Sequence, residues 1–389
     1  MHSSTAPLAE FDVSDSRGFL PTTDPLDRLP SSFDAWEDAA HALPKLLMTD
    51  HARAYLEALP PFPLDELRDE RQWRRAMSLL SYLGHAYVWR GDRPATHLPA
   101  RLAVPWHAVA TRQGRPPVLS YASYCLDNWF RFDKSREPGI GNIGLIQNFL
   151  AGEDEEWFIL VHVDIELAAA PGIAALLPAQ NAAAAGDVEA LEQHLTTIGG
   201  ALDKMYATMR RMPERCDPYI YYHRVRPYIH GWKNHPDLPE GLVYEGVDEY
   251  AGQPQQFRGE TGAQSAIVPS LDAVLGVYHE ADELKTYLME MREYMPPEHR
   301  ALLQTLEARP PVRAFVQRSG SASLTAAYDR CVAGVERFRS LHLEYAATYI
   351  FKQAQTDPKN PHAVGTGGTP FMRYLKKHRD ETASHVLRT

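Results

Sequence analysis

Residues 324–351 read LTAAYDRCVAGVERFRSLHLEYAATYIF. Leu324, Tyr328, Cys331, Val335, Phe338, His342, Tyr345 and Tyr349 recur at steps of 4 and 3, which places them on one face of a long helix. His342 sits in the middle of that apolar stripe and is turned toward protein, not water. A single histidine in such a place is usually a packed, hydrogen-bonded core residue. The functional alternative is a ligand, since a proximal histidine holding a haem iron needs this setting. No CxxCH motif accompanies it, so any haem is held without thioether bonds.

Outward from this helix the C-terminal part of the chain also reads as helical. Residues 182–210 are rich in helix formers up to Pro213, and residues 271–293 follow a Gly-rich loop. Residues 36–89 and 119–132 carry helical apolar spacing, with Pro94, Pro99, Pro105, Pro116 and Pro117 breaking the chain between them. Residues 1–35, rich in Pro, Asp and Ser, predict an extended arm over a surface. A soft boundary falls near 145–150. The segment Val161-His162-Val163-Asp164-Ile165-Glu166-Leu167 alternates polar and apolar residues, as a strand does. On a strand His162 and Asp164 share a face and resemble part of a non-haem iron facial triad; on a helix His162 instead shares a face with Glu166.

The 389 residues suffice for two cores. The 40 Lys and Arg against 50 Asp and Glu leave a net charge of −10, which argues against nucleic acid as a partner. The densest basic run, Lys376-Lys377-His378-Arg379, is interrupted at once by Asp380 and Glu381 and reads as a solvated helix face. Three scattered cysteines, Cys125, Cys216 and Cys331, fit a reducing compartment and offer no zinc spacing. The N-terminus lacks a signal-peptide pattern, and no unbroken apolar run reaches the roughly 18 residues of a transmembrane helix, so a cytoplasmic location is expected.

Six segments in order resemble the indoleamine 2,3-dioxygenase family. They are Leu119-Ser120-Tyr121-Ala122, Gly231-Trp232-Lys233-Asn234, Leu242-Val243-Tyr244-Glu245-Gly246, Met295-Pro296-Pro297-Glu298-His299-Arg300, Arg339-Ser340-Leu341-His342-Leu343 and Gly365-Thr366-Gly367-Gly368-Thr369. The similarity runs from about Phe11 to the C-terminus. It implies an all-α fold, with a small, mostly helical N-terminal domain (1–147) over the distal pocket and a large helical haem-binding domain (148–389). It also implies haem b, ferrous when active, and oxidative cleavage of the indole C2–C3 bond of L-tryptophan, or a close indoleamine, by O2 to give N-formylkynurenine. The implied partners are that substrate and O2 alone, on a monomer or weak oligomer.

The same resemblance makes His342 the proximal iron ligand and places Arg339, one turn earlier, where a cation reaches a haem propionate. Tyr121, Phe158, His162 and Tyr221 become the distal roof, with Arg226 at its rim for the substrate carboxylate. Thr366 belongs to a loop closing over the substrate's amino-acid end; the loop lacks the Lys-Ser/Thr pair of a P-loop. Gly259, Glu260, Thr261 and Gly262 form the loop against the haem's distal side, and Asp272 orients neighbours. This chain departs from the family pattern at His162, Tyr221 and Glu260, where small or apolar residues are usual. Those departures keep open a relative that oxygenates or rearranges a substituted tryptophan. A non-catalytic haem-binding sensor is the reading from another class.

Overall fold

The computed structural model describes residues 8–281, 283–355 and 371–387, apart from the side chains of 284, 371, 373 and 374. Helices carry the fold. The described strands are two-residue pieces: His97–Leu98 runs parallel to Val243–Tyr244, and Phe130–Arg131 runs antiparallel to Ile143–Gly144.

The longest element is the helix Glu153–Ala185. Glu153, Asp154, Glu155 and Glu156 fill its first turn, where negative charge complements the exposed N–H groups and the helix dipole. The alternating segment 161–167 lies inside this helix, so the strand reading is overturned; helix-forming sequence on both sides outweighs a short period-2 pattern. The helix ends at Gly186, whose φ of 76° is left-handed, with Asp187 N–H donating to Ala182 O at 2.9 Å. The Asp187 side chain then accepts from Ala190 N–H at 3.0 Å and starts the helix Val188–Met209. Residues 182–210 are therefore two helices, because a glycine stop and an aspartate cap lie side by side within the helix-forming run.

Those two helices form a hairpin, and the His342 helix, Ala322–Ala346, packs on it. Small residues set the approach. A Cβ on Gly172 would lie 2.9 Å from Ala201 Cβ, and one on Gly334 would lie 3.1 Å from Leu202 Cβ. The long helix is also apolar enough to cross a bilayer, which unbroken apolar runs did not suggest. Of its most apolar stretch, 67% is buried inside the protein, so this surface is used for packing.

Two further expectations change. Residues 119–132 are not a continuous helix: only the π-helical turn Ala122–Leu126 forms before the chain turns into Phe130–Arg131. Fully buried Asn128 diverts it, its amide donating to Tyr82 Oη, Tyr124 O and Gln147 O at 2.9–3.1 Å while its Oδ1 accepts from Gln147 N–H. Residues 271–293 split into Ile267–Leu275 and Glu283–Met291, because Gly276 takes a left-handed φ of 71°.

Buried apolar side chains gather into two clusters. One joins Leu20–Phe149 with residues such as Trp232, Tyr244 and Tyr294; the other joins Trp157–Tyr349 with Phe11, Val13 and Phe19. The N-terminal arm crosses between them, held by Arg17 to Asp24 at 3.0 Å, Asp24 to Arg131 at 2.8 Å and an Asp12–Arg74 ion pair.

Substituting Gly172→Val is expected to lower stability by roughly 1–3 kcal/mol, the cost of overpacking a tight contact. Denaturant unfolding measures it, and an unchanged midpoint would mean the hairpin does not depend on this approach.

Candidate active site

A cavity of about 640 Å³ lies between the long helix, the helix Val188–Met209, the loop after Gly259 and the C-terminal half of the His342 helix. The apolar stripe divides at this point. Leu324, Tyr328, Cys331 and Val335 are fully buried core residues, whereas Phe338, His342, Tyr345 and Tyr349 line the cavity.

His342 presents accessible surface to this cavity, and neither ring nitrogen has a hydrogen-bond partner among the described residues. Burial, reinforced by His162 and Arg339, pushes its pKa down to about 4. The imidazole is thus neutral near pH 7 with lone-pair capacity to spare, the state a metal ligand needs. His162 lines the same cavity, near enough to add to this shift. His162 Nδ1 lies 2.7 Å from Phe158 O; a carbonyl only accepts, so Nδ1 carries the proton and Nε2 is left as an acceptor. Burial lowers the His162 pKa as well.

Aromatic rings frame His162: Phe158 at 4.5 Å and Tyr121 edge-on at 6.0 Å, with Tyr221 4.6 Å from Phe158. Tyr349 meets Tyr221 edge-on at 5.9 Å and donates its hydroxyl to Cys216 O at 2.7 Å. Glu260, Thr261 and Gly262 also line the cavity. Burial raises the Glu260 carboxyl to about 8, so an uncommon proton-bearing acid stands on the wall at neutral pH.

The structure therefore brings together Tyr121, Phe158, His162, Tyr221, Glu260, Thr261, Gly262, Arg339 and His342. It treats four other expectations differently. Thr366 lies outside the described residues. Arg226 is not at a rim: it is 1% exposed, its guanidinium 5.3 Å from the Tyr222 ring, because the turn Arg226–Ile229 packs inward behind the wall. Gly259 is not a lining residue; its backbone crosses that of Gly231 so closely that a Cβ would come within 2.2 Å of Gly231 N. Arg339 reaches the cavity, but its guanidinium is engaged by Asp272 (2.6 and 3.2 Å), Thr382 and His279 (3.3 Å). Burial works to raise the Asp272 carboxyl, yet Arg339 and His279 hold it below its usual range. The facial triad is excluded too, because Asp164 points away from His162 and accepts from Ile140 N–H at 3.2 Å and Thr208 Oγ1 at 3.0 Å.

Several features escaped sequence reasoning. His279 and His378 stack at 4.0 Å, and with Glu381 they place possible ligand atoms within 4.8 Å of one another. His279 faces Asp272 at 3.3 Å and Glu381 at 2.5 Å, and Lys377 lies 3.5 Å from Glu381, so the group is part of an ion-pair network. The run 376–379 is accordingly not a plain solvated face: His378 is buried and Lys377 is paired. Glu166 was passed over as well; it accepts from both Tyr121 Oη and Ser265 Oγ. Finally, π-helical turns follow Tyr121, begin at Tyr221 and contain Tyr349, and such turns concentrate at functional sites.

With this geometry in hand, comparison with known proteins is direct. The family model "Indoleamine 2,3-dioxygenase" matches residues 7–385. Indoleamine 2,3-dioxygenase 1 of Rattus norvegicus is 38% identical over 394 residues, covering 98% of this chain and 96% of the relative. Indoleamine 2,3-dioxygenase 2 of Homo sapiens is 34% identical over 98% of this chain and 95% of its own length. Indoleamine 2,3-dioxygenase acdA of Aspergillus candidus is 33% identical over 96% of each. The chain belongs to the indoleamine 2,3-dioxygenase family, and it is a haem-dependent oxidoreductase, a dioxygenase of tryptophan-like substrates.

The buried acids give a pH prediction. Glu166 and Glu260 are raised from 4.5 to about 7 and about 8. The folded chain then holds protons that the unfolded chain has released, so stability falls as pH rises toward 8. Buried His85 and His342, lowered to about 3 and about 4, act oppositely but are spent once unfolded histidine is neutral. The melting temperature is expected to decline from pH 7 to 8.5, and Glu260→Gln to flatten that decline. A level wild-type profile would contradict it.

Proposed function

We propose that this chain cleaves the indole C2–C3 bond of L-tryptophan, or a close indoleamine, with O2 to give N-formylkynurenine, with both oxygen atoms entering the product. The observation that carries this reading is the pair of neutral imidazoles, His342 and His162, lining one aromatic cavity from two different helices. The residues fit a haem. The volume of about 640 Å³ lies within the roughly 300–1,000 Å³ range of cofactor and ligand pockets, and His342 has both ring nitrogens uncommitted. His342 would hold the iron of a haem b, and that haem, ferrous in the active state, would supply the activation of O2.

The protein's own part is binding, orientation and exclusion of water. The rings of Tyr121 and Phe158 would sandwich the indole, with Tyr221 beyond. His162 Nε2 accepts a hydrogen bond from the indole N–H side, since Nδ1 is already committed to Phe158 O. Arg226, buried behind the wall, is the proposed counter-charge to the substrate carboxylate, and Thr366 the partner of its amino-acid end. Thr261 and Gly262, which line the cavity, would pack against the cofactor. Arg339, held by Asp272 one turn before His342, would stand near it on the His342 side. Residues 1–147 are proposed as the smaller domain over the distal pocket, and 148–389 as the haem-binding domain.

A second reading has its own observation. His162, Tyr221 and Glu260 make this wall more polar than a plain indole requires. That favours a tryptophan with a polar ring substituent, and a relative that oxygenates or rearranges it.

Haem-loaded protein, reduced without oxygen and then mixed with L-tryptophan and air, is expected to form N-formylkynurenine over many turnovers per haem. Haem binding without product would move the assignment to the substituted substrate. His342→Ala is expected to abolish specific haem binding, and an unchanged ferrous spectrum would remove the proximal assignment. Arg226→Ala is expected to weaken tryptophan binding at unchanged haem content, by less than the roughly 1.5–3 kcal/mol of a direct charge-assisted hydrogen bond, since the guanidinium stands behind the wall. Equal wild-type affinity for tryptophan and its decarboxylated analogue would refute that role.

A further inference from the structure

Glu166 lies on the long helix one turn beyond His162, only 1% exposed, and outside the cavity lining. Its Oε1 accepts two hydroxyl hydrogen bonds, from Tyr121 Oη at 2.9 Å and from Ser265 Oγ at 2.9 Å. Its Oε2 is buried and has no hydrogen-bond partner among the described residues. Both donors belong to residues that line the cavity, and they come from chain segments far apart in sequence. A second clamp runs parallel to the first. Gln264 Oε1 accepts from Tyr121 N–H at 2.9 Å, while its Nε2 donates to Gly259 O at 2.9 Å. Tyr121 is thus fastened to the 259–265 loop through its backbone by Gln264 and through its hydroxyl by Glu166.

We infer that Glu166 is a positioning residue for the substrate pocket, a buried acceptor that locks the Tyr121 ring and the 259–265 loop into one wall. Burying a carboxyl is costly, and burial raises this one to about 7 despite the two hydroxyl donors. Such a group is retained where a specific arrangement depends on it. Because one oxygen makes both bonds, the geometry makes a definite demand: a single neutral acceptor oxygen of the same shape suffices. Glutamine supplies one, and leucine does not.

The inference rests on the proposed tryptophan reading only for its functional readout. Three measurements on Glu166→Leu and Glu166→Gln test it: haem content, L-tryptophan affinity with kcat and KM in the haem-loaded protein, and amide hydrogen exchange of the loop without substrate. Glu166→Leu is expected to speed loop exchange and weaken tryptophan by roughly tenfold each, the scale of one hydrogen bond to an acidic acceptor. KM should move more than kcat, haem content should hold, and Glu166→Gln should rescue most of the loss. Tyr121→Phe keeps the ring and removes one donor, so combined with Glu166→Leu its effect is expected to be less than additive. If Glu166→Leu does not fold, Tyr121→Phe and Ser265→Ala carry the exchange test. Wild-type loop exchange in the variants, or a Glu166→Gln as impaired as Glu166→Leu, overturns the inference. If the loop responds as expected while wild-type protein fails to bind tryptophan, the substrate reading fails and the positioning role stands.

Discussion

Everything at the site depends on how closely three long helices approach one another. Gly172 against Ala201 and Gly334 against Leu202 remove the side-chain volume that would hold them apart. Packed cores do not deform continuously, so this contact fixes where the two imidazoles sit. His162 rides on the long helix and His342 on the helix that packs against the hairpin. A methyl group at Gly172 would meet Ala201 Cβ at 2.9 Å and press on the spacing of the chemistry, although this glycine does not touch the cavity.

Behind the cavity, buried polar groups tie the N-terminal segments to one another, each joining more than one stretch of chain. Fully buried Asn128 joins the chain at Tyr82, Tyr124 and Gln147, and Glu155 accepts from Phe149 and Leu150 N–H groups at 2.8 Å. Arg75 and Glu37, each 3% exposed along their side chains, pair at 2.5 and 3.0 Å. Buried ion pairs contribute little net stability, because desolvation offsets the attraction, but breaking one leaves an uncompensated charge. Such groups therefore select one arrangement over other compact ones. The short π-helical turns do related work, offsetting the backbone so that Tyr221 and Tyr349 meet.

The His342 side of the cavity is organised by charge. Arg339, one turn before His342, is bound by Asp272, and Asp272 also faces His279, which reaches Glu381 on the C-terminal helix Phe371–Ala383. One network thus joins the His342 helix, the helix Ile267–Leu275 and the C-terminal helix. Moving any of the three disturbs the setting of the others, so the arginine one turn before His342 anchors structure as well as lining the cavity.

Helical periodicity by itself determined the His342 helix and the inward direction of His342, since a step of 3 and 4 leaves a histidine in an apolar stripe no solvent-facing option. Collinear motifs pointed to the family, and most of the site residues it implied, Tyr121, Phe158, His162, Tyr221, Glu260 and His342 among them, line the cavity. Local pattern failed where two signals competed within a few residues: Gly186 and Asp187 inside a helix-forming run, Gly276 inside another, and a period-2 stretch at 161–167 inside the longest helix. Tertiary structure alone decided the rest. Glu166 is an ordinary acid in the sequence, and nothing local shows that Tyr121 and Ser265 converge on one of its oxygens. Nor does sequence place Arg226 behind the wall, Gly259 at a backbone crossing, or His279 against His378. These are contacts between segments far apart along the chain, set by packing and burial, and a one-dimensional period carries no information about them.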